Sequence, residues 1–294
     1  ICCSGIVPEI LDLKYLYLEV NTKIYFNTNL APDAAYVSTL VQNNAEKYAE
    51  SSDMNKYGAR FKYSKFLNII DQSNESITSN ITTVYIRRDI RAVLNAFAEY
   101  QIGFGNEFHI KSMSGYNIKS SAFKIAGVMD DVYISDIPNT NKLTGSLFLF
   151  SLPSVESQSP TIIKRNVGTI DYKSGVITIN PINIQSGMIK DGQTIIEISA
   201  CPLSNDVIGL QDLYLQLDIS NSLFETVVDE IASGLDPSGS NYITSSSYAN
   251  GNLVRAGGRN SDVTTTNISG SVPSTGGSGA TTPTSFSGTS ASSY

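Results

Sequence analysis

The sequence predicts an α+β chain in three parts: an N-terminal α/β unit of strand, helix, helix and strand, an all-β sandwich-like region, and an extended Ser/Thr/Gly-rich C-terminal arm. Three observations carry that prediction. Apolar residues at helical spacing mark the segment before Ala92, and that periodicity fades from there onward. From Ala92 they fall in short Tyr/Phe/Ile-rich runs separated by Gly, Asn and Pro, the pattern of a sandwich or barrel. After Asp236 the chain is mostly Ser, Thr, Gly and Asn, too poor in apolar side chains to build a core of its own. These shifts divide the sequence into an α/β domain at 1–95, a β-rich domain at 96–220, a short helix or linker at 221–235 and the arm at 236–294.

The first element expected is a strand or hairpin over Ile10–Asn27. Leu11, Leu13, Tyr15 and Tyr17 alternate with Asp12, Lys14, Leu16 and Leu18, and both sets are largely apolar, so the strand belongs inside a sheet. Asn27, Asn29, Pro32 and Asp33 then offer capping chemistry to a helix in which Val37, Leu40, Val41, Ala45 and Tyr48 share one face. In RFKYSKFLNIID, Tyr63, Phe66, Leu67 and Ile70 share another helical face that must be buried. Ser73, Asn74, Glu75 and Ser76, then Thr78, Ser79 and Asn80, bond their own backbone readily and predict turns. A half-buried strand is expected from Ile81 to Arg88, where Val84, Tyr85 and Ile86 supply the β-branched and aromatic content.

In the second half the clearest hairpin is VGTIDYKSGVITI, with Lys173, Ser174 and Gly175 at the turn between two alternating arms. Strands follow at Thr194–Ala200 and Leu213–Asp218 around a Pro/Asn/Asp loop, and a helical turn or two is expected over Phe224–Ile231.

Three stretches together resemble the baseplate wedge proteins of T-even-type contractile-tailed phages, the baseplate J-like family, in their C-terminal portion. The first holds Phe61, Tyr63 and Ser64, the pair Ile70 and Asp71, and Ser79, Asn80 and Thr82 leading into a strand. The second is the hairpin pattern Gly168, Ile170, Asp171, Tyr172, Gly175 and Ile177. The third is Asn205, Asp206 and Val207. The resemblance runs from about Leu16 to Asp218. It implies a non-enzymatic subunit that dimerises, links adjacent wedges into a ring and shifts its contacts when the baseplate contracts. The arm departs from that pattern.

Composition narrows the remaining classes. A net charge of -7 argues against a phosphate-backbone groove and hence against nucleic acid as a partner. No apolar run reaches the roughly 20 residues of a membrane-spanning helix. Three cysteines, Cys2, Cys3 and Cys201, form neither a disulfide framework nor a metal-ligand spacing. ICCSGIV lacks the features of a secretory signal, and an upstream domain is expected before Ile1.

No catalytic constellation or cofactor site can be assembled. His109 is the single histidine and has no nearby Cys or paired carboxylate, which leaves it a structural role. Asp130, Asp131 and Asp136 lack the spacing of a calcium loop and read as a solvated turn. Gly103 and Gly105 lack the third glycine of a dinucleotide fingerprint and read as bulge or turn residues.

The working residues are therefore expected at interfaces. Tyr63, Phe66, Tyr85, Arg87 and Arg88 mark a homodimer contact on the α/β unit, and Tyr242, Arg255 and Arg259 mark contacts of the arm with neighbouring copies or with other wedge, hub and tail proteins. Arg87, Arg88 and Arg91 form the local basic cluster, read either as a solvated face or as a partner for a neighbour's carboxylates. The expected place is the virion tail baseplate, assembled in the host cytoplasm. The alternative function is a receptor- or glycan-binding tail module presenting Tyr and Asn, weakened by the absence of tryptophan.

Overall fold

The alternation at the start of the chain becomes one long strand, β1 (Lys14–Phe26), in a computed structural model that describes residues 14–31, 33–54, 56–152, 160–209, 213–235, 248–249 and 252–253. Its even positions, from Leu16 to Phe26, are buried, and its odd positions, apart from exposed Asn21, are half-buried beyond Lys14. Helix α1 (Ala34–Ala49) follows, capped by the Asp33 carboxyl, which accepts from the Ala35 amide at 2.9 Å. It buries Val37, Val41, Ala45 and Tyr48, the face its spacing predicts. A two-residue strand, β2 (Arg60–Phe61), leads into helix α2 (Tyr63–Asp71), which buries Phe66 and Ile70. Strand β3 (Ile77–Arg91) closes this unit.

The remaining strands are β4 (Ala98–Gly103), β5 (Lys119–Ser120), β6 (Lys124–Ile125), β7 (Val132–Pro138), β8 (Thr144–Ser151), β9 (Thr161–Asp171) and β10 (Val176–Ile182). They continue as β11 (Ile184–Ser186), β12 (Met188–Lys190), β13 (Gln193–Ala200), β14 (Val207–Ile208), β15 (Leu213–Leu217) and β16 (Leu223–Val228). Beyond these, β17 (Tyr248–Ala249) pairs with β18 (Asn252–Leu253). Strand accounts for 50% of the structure and helix for 12%, so the fold is mostly β.

A seven-stranded sheet runs β12-β13-β3-β1-β15, with β16 also on β1 and β5 on β13. It draws β1 and β3 from before residue 95 and the other strands from after it. β3 lies antiparallel to β1 from Tyr17 opposite Arg87 to Phe26 opposite Ile77, and β13 lies antiparallel on its other side. β15 and β16 both run parallel to β1. The helices pack on one side, α1 against β16 and α2 against β3. An antiparallel five-stranded sheet, β4-β10-β9-β8-β7, buries Leu147, Leu149, Ile170, Ile177 and Ile179. Its β9–β10 hairpin turns through Gly175 at φ 66°, where a Cβ would sit 2.1 Å from the Asn106 carbonyl oxygen.

Described residues up to Asp229 form one compact unit, and residues from Glu230 group as a second. Three expectations are corrected. Thr78, Ser79 and Asn80 lie inside β3, because pairing with Tyr25 and Ile24 of β1 satisfies the backbone that their side chains would otherwise bond. Leu223–Val228 is a strand rather than a helical turn, since its parallel pairing with Asn21–Phe26 buries Phe224. Asp136 is not in a solvated turn but fully buried, where its carboxyl accepts from the Ile118 amide at 2.6 Å, Asn117 Nδ2 at 2.9 Å and the Tyr172 hydroxyl at 2.5 Å. Burial and the acceptor beside it push the Tyr172 phenol well above its ordinary range. The arm, apart from β17 and β18, lies outside the described residues.

Candidate interaction surface

The sequence-predicted interface residues on the α/β unit separate into two places. Tyr63 and Phe66 belong to the start of α2. Phe66 is fully buried against Phe61, at a ring-centroid distance of 5.4 Å, and Tyr48, at 5.9 Å. Tyr63 is half-buried, and its hydroxyl donates to the Thr82 carbonyl at 2.8 Å. Its amide donates at 2.9 Å to Oδ1 of Asp206, in the loop leading into β14. Lys62, at the N-cap position, supplies no side-chain acceptor of its own. Asp206 therefore caps α2 across the fold, and it also meets Arg60 at 3.4 Å, while Val207 pairs with Phe61 in the β2–β14 ribbon. Two stretches that resemble one family in sequence are thus one joint in space.

Replacing Asp206 by Ala is expected to lower stability by about 1 kcal/mol, the usual cost of a lost N-cap. Urea unfolding checks this, and a change within experimental error would remove the capping role.

Tyr85, Arg87 and Arg88 lie on β3. Tyr85 is half-buried opposite Glu19 of β1. Arg88 turns the other way, and its guanidinium donates to the Gly103 carbonyl at the end of β4 at 2.5 Å. Arg87 is 2% exposed, so it is neither a solvated charge nor a side chain free to meet a neighbour. Its guanidinium bonds Glu19 of β1, Asp89 of β3 at 3.0 Å and Asp218 beyond β15 at 3.0 Å, with Glu197 of β13 at 3.7 Å. The Tyr17 ring stacks beneath it, 4.6 Å from the guanidinium carbon, and the Lys190 ammonium reaches both that ring, at 5.0 Å, and Asp89, at 3.2 Å.

Burial works against charge in this cluster and the carboxylates oppose it. Desolvation alone would lower the pKa of Arg87, and Asp89, Glu19, Glu197 and Asp218 more than offset it, so the guanidinium is held above its ordinary value. For Glu19 the balance tips the other way: burial raises its carboxyl despite Arg87. Burial also pushes Asp218 upward, but the Asn221 side chain and amide, at 2.8 and 3.2 Å, and Arg87 outweigh it and bring the carboxyl below its ordinary range. Acid is therefore expected to neutralise Glu19 before Asp218. In a carboxyl-carbon NMR titration Glu19 should titrate above its ordinary 4.5 and Asp218 below its ordinary 3.8. The reverse order would contradict the arrangement.

Sequence inspection missed Glu19, Glu197 and Asp218 as partners of Arg87. The signal was present as a lone acid in each of three strongly apolar runs, YLYLEV, TIIEISA and LYLQLD, because a charge in a buried strand requires a counter-charge. Among the described residues no group of His, Cys, Asp or Glu could hold a metal ion, and no helix is long and apolar enough to cross a membrane. His109 is exposed, with its amide bonded to the Cys201 carbonyl at 2.8 Å. Tyr242, Arg255 and Arg259 lie outside the described residues.

Residues 14–89 match the family model of baseplate structural protein gp6, C-terminal domain III. The matched segment begins with β1, ends inside β3 and includes Glu19, Arg87 and Asp89. Glu197, Asp206 and Asp218, which complete the ion cluster and the helix cap, come from beyond it. The match supports a structural role in a phage baseplate, a place in the virion tail and association with other baseplate components. A structural family also points away from an enzyme. No curated protein matches the chain.

Proposed function

We propose that the chain is a structural, non-enzymatic subunit of the baseplate wedge of T-even-type contractile-tailed phages, which dimerises and links adjacent wedges into the baseplate ring. The observation that carries the reading is the match of residues 14–89, which coincides with a structural unit bounded by β1 and β3 rather than with an arbitrary stretch. The cap that Asp206 places on α2 supports extending it into the β-rich half. In this reading the surface of the α/β unit, including exposed parts of Tyr63 and Tyr85, meets a second copy. The arm at 236–294, with Tyr242, Arg255 and Arg259, tethers the subunit to neighbouring wedge or hub proteins.

The test is to assemble phage with and without the chain and to image the particles by negative-stain electron microscopy. Unlinked wedges and tails without complete baseplates are expected in its absence, and normal baseplates would overturn the reading. Sedimentation of the isolated chain at micromolar concentration is expected to show a dimer, and a strict monomer would remove the dimerisation step.

A further inference from the structure

Between the end of α1 and the start of α2 the surface is concave and cationic. A cleft of about 180 Å³ is lined by Lys56, Arg60, Lys62 and Lys65 together with Asp53. Lys65 binds Asp53, and Arg60 meets Asp206 at 3.4 Å. Lys56 and Lys62 then have no carboxylate within ion-pair distance among the described residues. The hydrogen bond from Lys65 holds the Asp53 carboxyl below its ordinary range, and Lys56 and Lys62 add to that effect, so their charges converge on the cleft. Tyr57, next to Lys56 in the chain, is 60% exposed, with its ring edge-on to Tyr214 at 5.7 Å between centroids. In a chain of net charge -7 this is a local excess of positive charge with a shape to receive something acidic.

The same chain carries a projection of complementary chemistry. The loop between β6 and β7 is clasped by reciprocal backbone bonds between Phe123 and Val132, at 3.1 and 2.8 Å. At its tip Met129 is 94% exposed and is followed by exposed Asp130 and Asp131. Asp131 lies 3.9 Å from Lys124, itself half-open to solvent, and Asp130 has no cation in range among the described residues. An exposed methionine beside two carboxylates offers an adaptable apolar contact flanked by negative charge, complementary to a basic cleft.

We propose that the chain self-associates by seating the Met129–Asp131 turn of one copy in the Lys56–Lys62 cleft of another, with Asp130 and Asp131 on the two lysines and Met129 on the Tyr57 ring. Cleft and turn are different patches, so two such contacts about a two-fold axis close a dimer, and one contact per copy propagates a ring. The contact specifies the self-association of the proposed wedge subunit and rests on that reading for its place in the baseplate.

The test uses the full chain and sedimentation velocity at low and high salt. The reversed pairs K56E/K62E and D130K/D131K are each expected to weaken self-association by about tenfold or more, equivalent to the loss of ~1.4 kcal/mol. Mixed together, the two variants should associate again, because each supplies the charge the other has inverted. The neutral pairs K56Q/K62Q and D130N/D131N should give a smaller loss in the same direction, without introduced repulsion, and thermal melts check that all four variants fold. Wild-type association in either reversed pair, or a mixture that stays monomeric, would overturn the contact while leaving the baseplate reading in place. A wild-type chain that is monomeric at every concentration would overturn the contact and the dimer together.

Discussion

Replacing Arg87 by Met is expected to destabilise the compact unit by about 3–5 kcal/mol, the range for removing one partner of a buried charge cluster. The magnitude follows from what the substitution leaves behind rather than from the bonds it deletes. Glu19, Asp89, Glu197 and Asp218 converge on one guanidinium, and their side chains are only 19%, 12%, 22% and 13% exposed. Lys190 reaches Asp89 alone among them. Without Arg87 most of that negative charge is unmatched on β1, β3, β13 and the end of β15, the seam where β1 meets β3 on one side and β15 on the other.

The pH dependence distinguishes this from a loss of packing. In the wild type, Asp218 has a depressed pKa, so its contribution is present above the unfolded value and is lost as pH falls through the folded one. In the Met variant Glu19 and Asp218 lose the guanidinium while burial still raises them, so the folded state gains protons more readily than the unfolded chain and recovers stability as the solution is acidified. The two stability curves should therefore converge toward acid. Urea unfolding across the carboxylate range measures both, with Tm lowered near neutrality by roughly 2–4 °C for each kcal/mol lost. A difference below about 1 kcal/mol, or one that does not change with pH, would show that the cluster does not behave as a charge-balanced unit.

How much of this was legible in the sequence follows from the range of each interaction. The inward face of α1 could be read because Val37, Val41, Ala45 and Tyr48 are set by a local period. The hairpin at Gly175 could be read because the turn and both arms lie within a dozen residues. Thr78–Asn80 and Leu223–Val228 could not, because their strand state comes from β1, a partner that in the second case is separated by almost the whole described chain. Arg87 shows the same limit on the side-chain level. Its carboxylate partners stand 68 and 131 residues away at Glu19 and Asp218, so a cluster of Arg87, Arg88 and Arg91 looked like a basic patch although the fold sends Arg87 and Arg88 to different surroundings.

Phe66→Ala is expected to cost about 3–5 kcal/mol of stability, and this second large effect separates a core role from an interface role. Phe66 was selected from the sequence both as part of an inward helical face and as a candidate contact for a second copy. Those roles compete, since a side chain without exposed area in the folded unit can touch a partner only if α2 moves. In the structure the ring fills the space between Phe61 and Tyr48, with centroids at 5.4 and 5.9 Å, and links α2 to both α1 and the β2–β14 ribbon. Deleting it leaves a void beside Phe61 and Tyr48, which are themselves buried. Stability should fall with little change in the self-association constant, measured at temperatures where the variant remains folded. A variant of wild-type stability that no longer associates would assign Phe66 to the interface and require α2 to shift when copies meet.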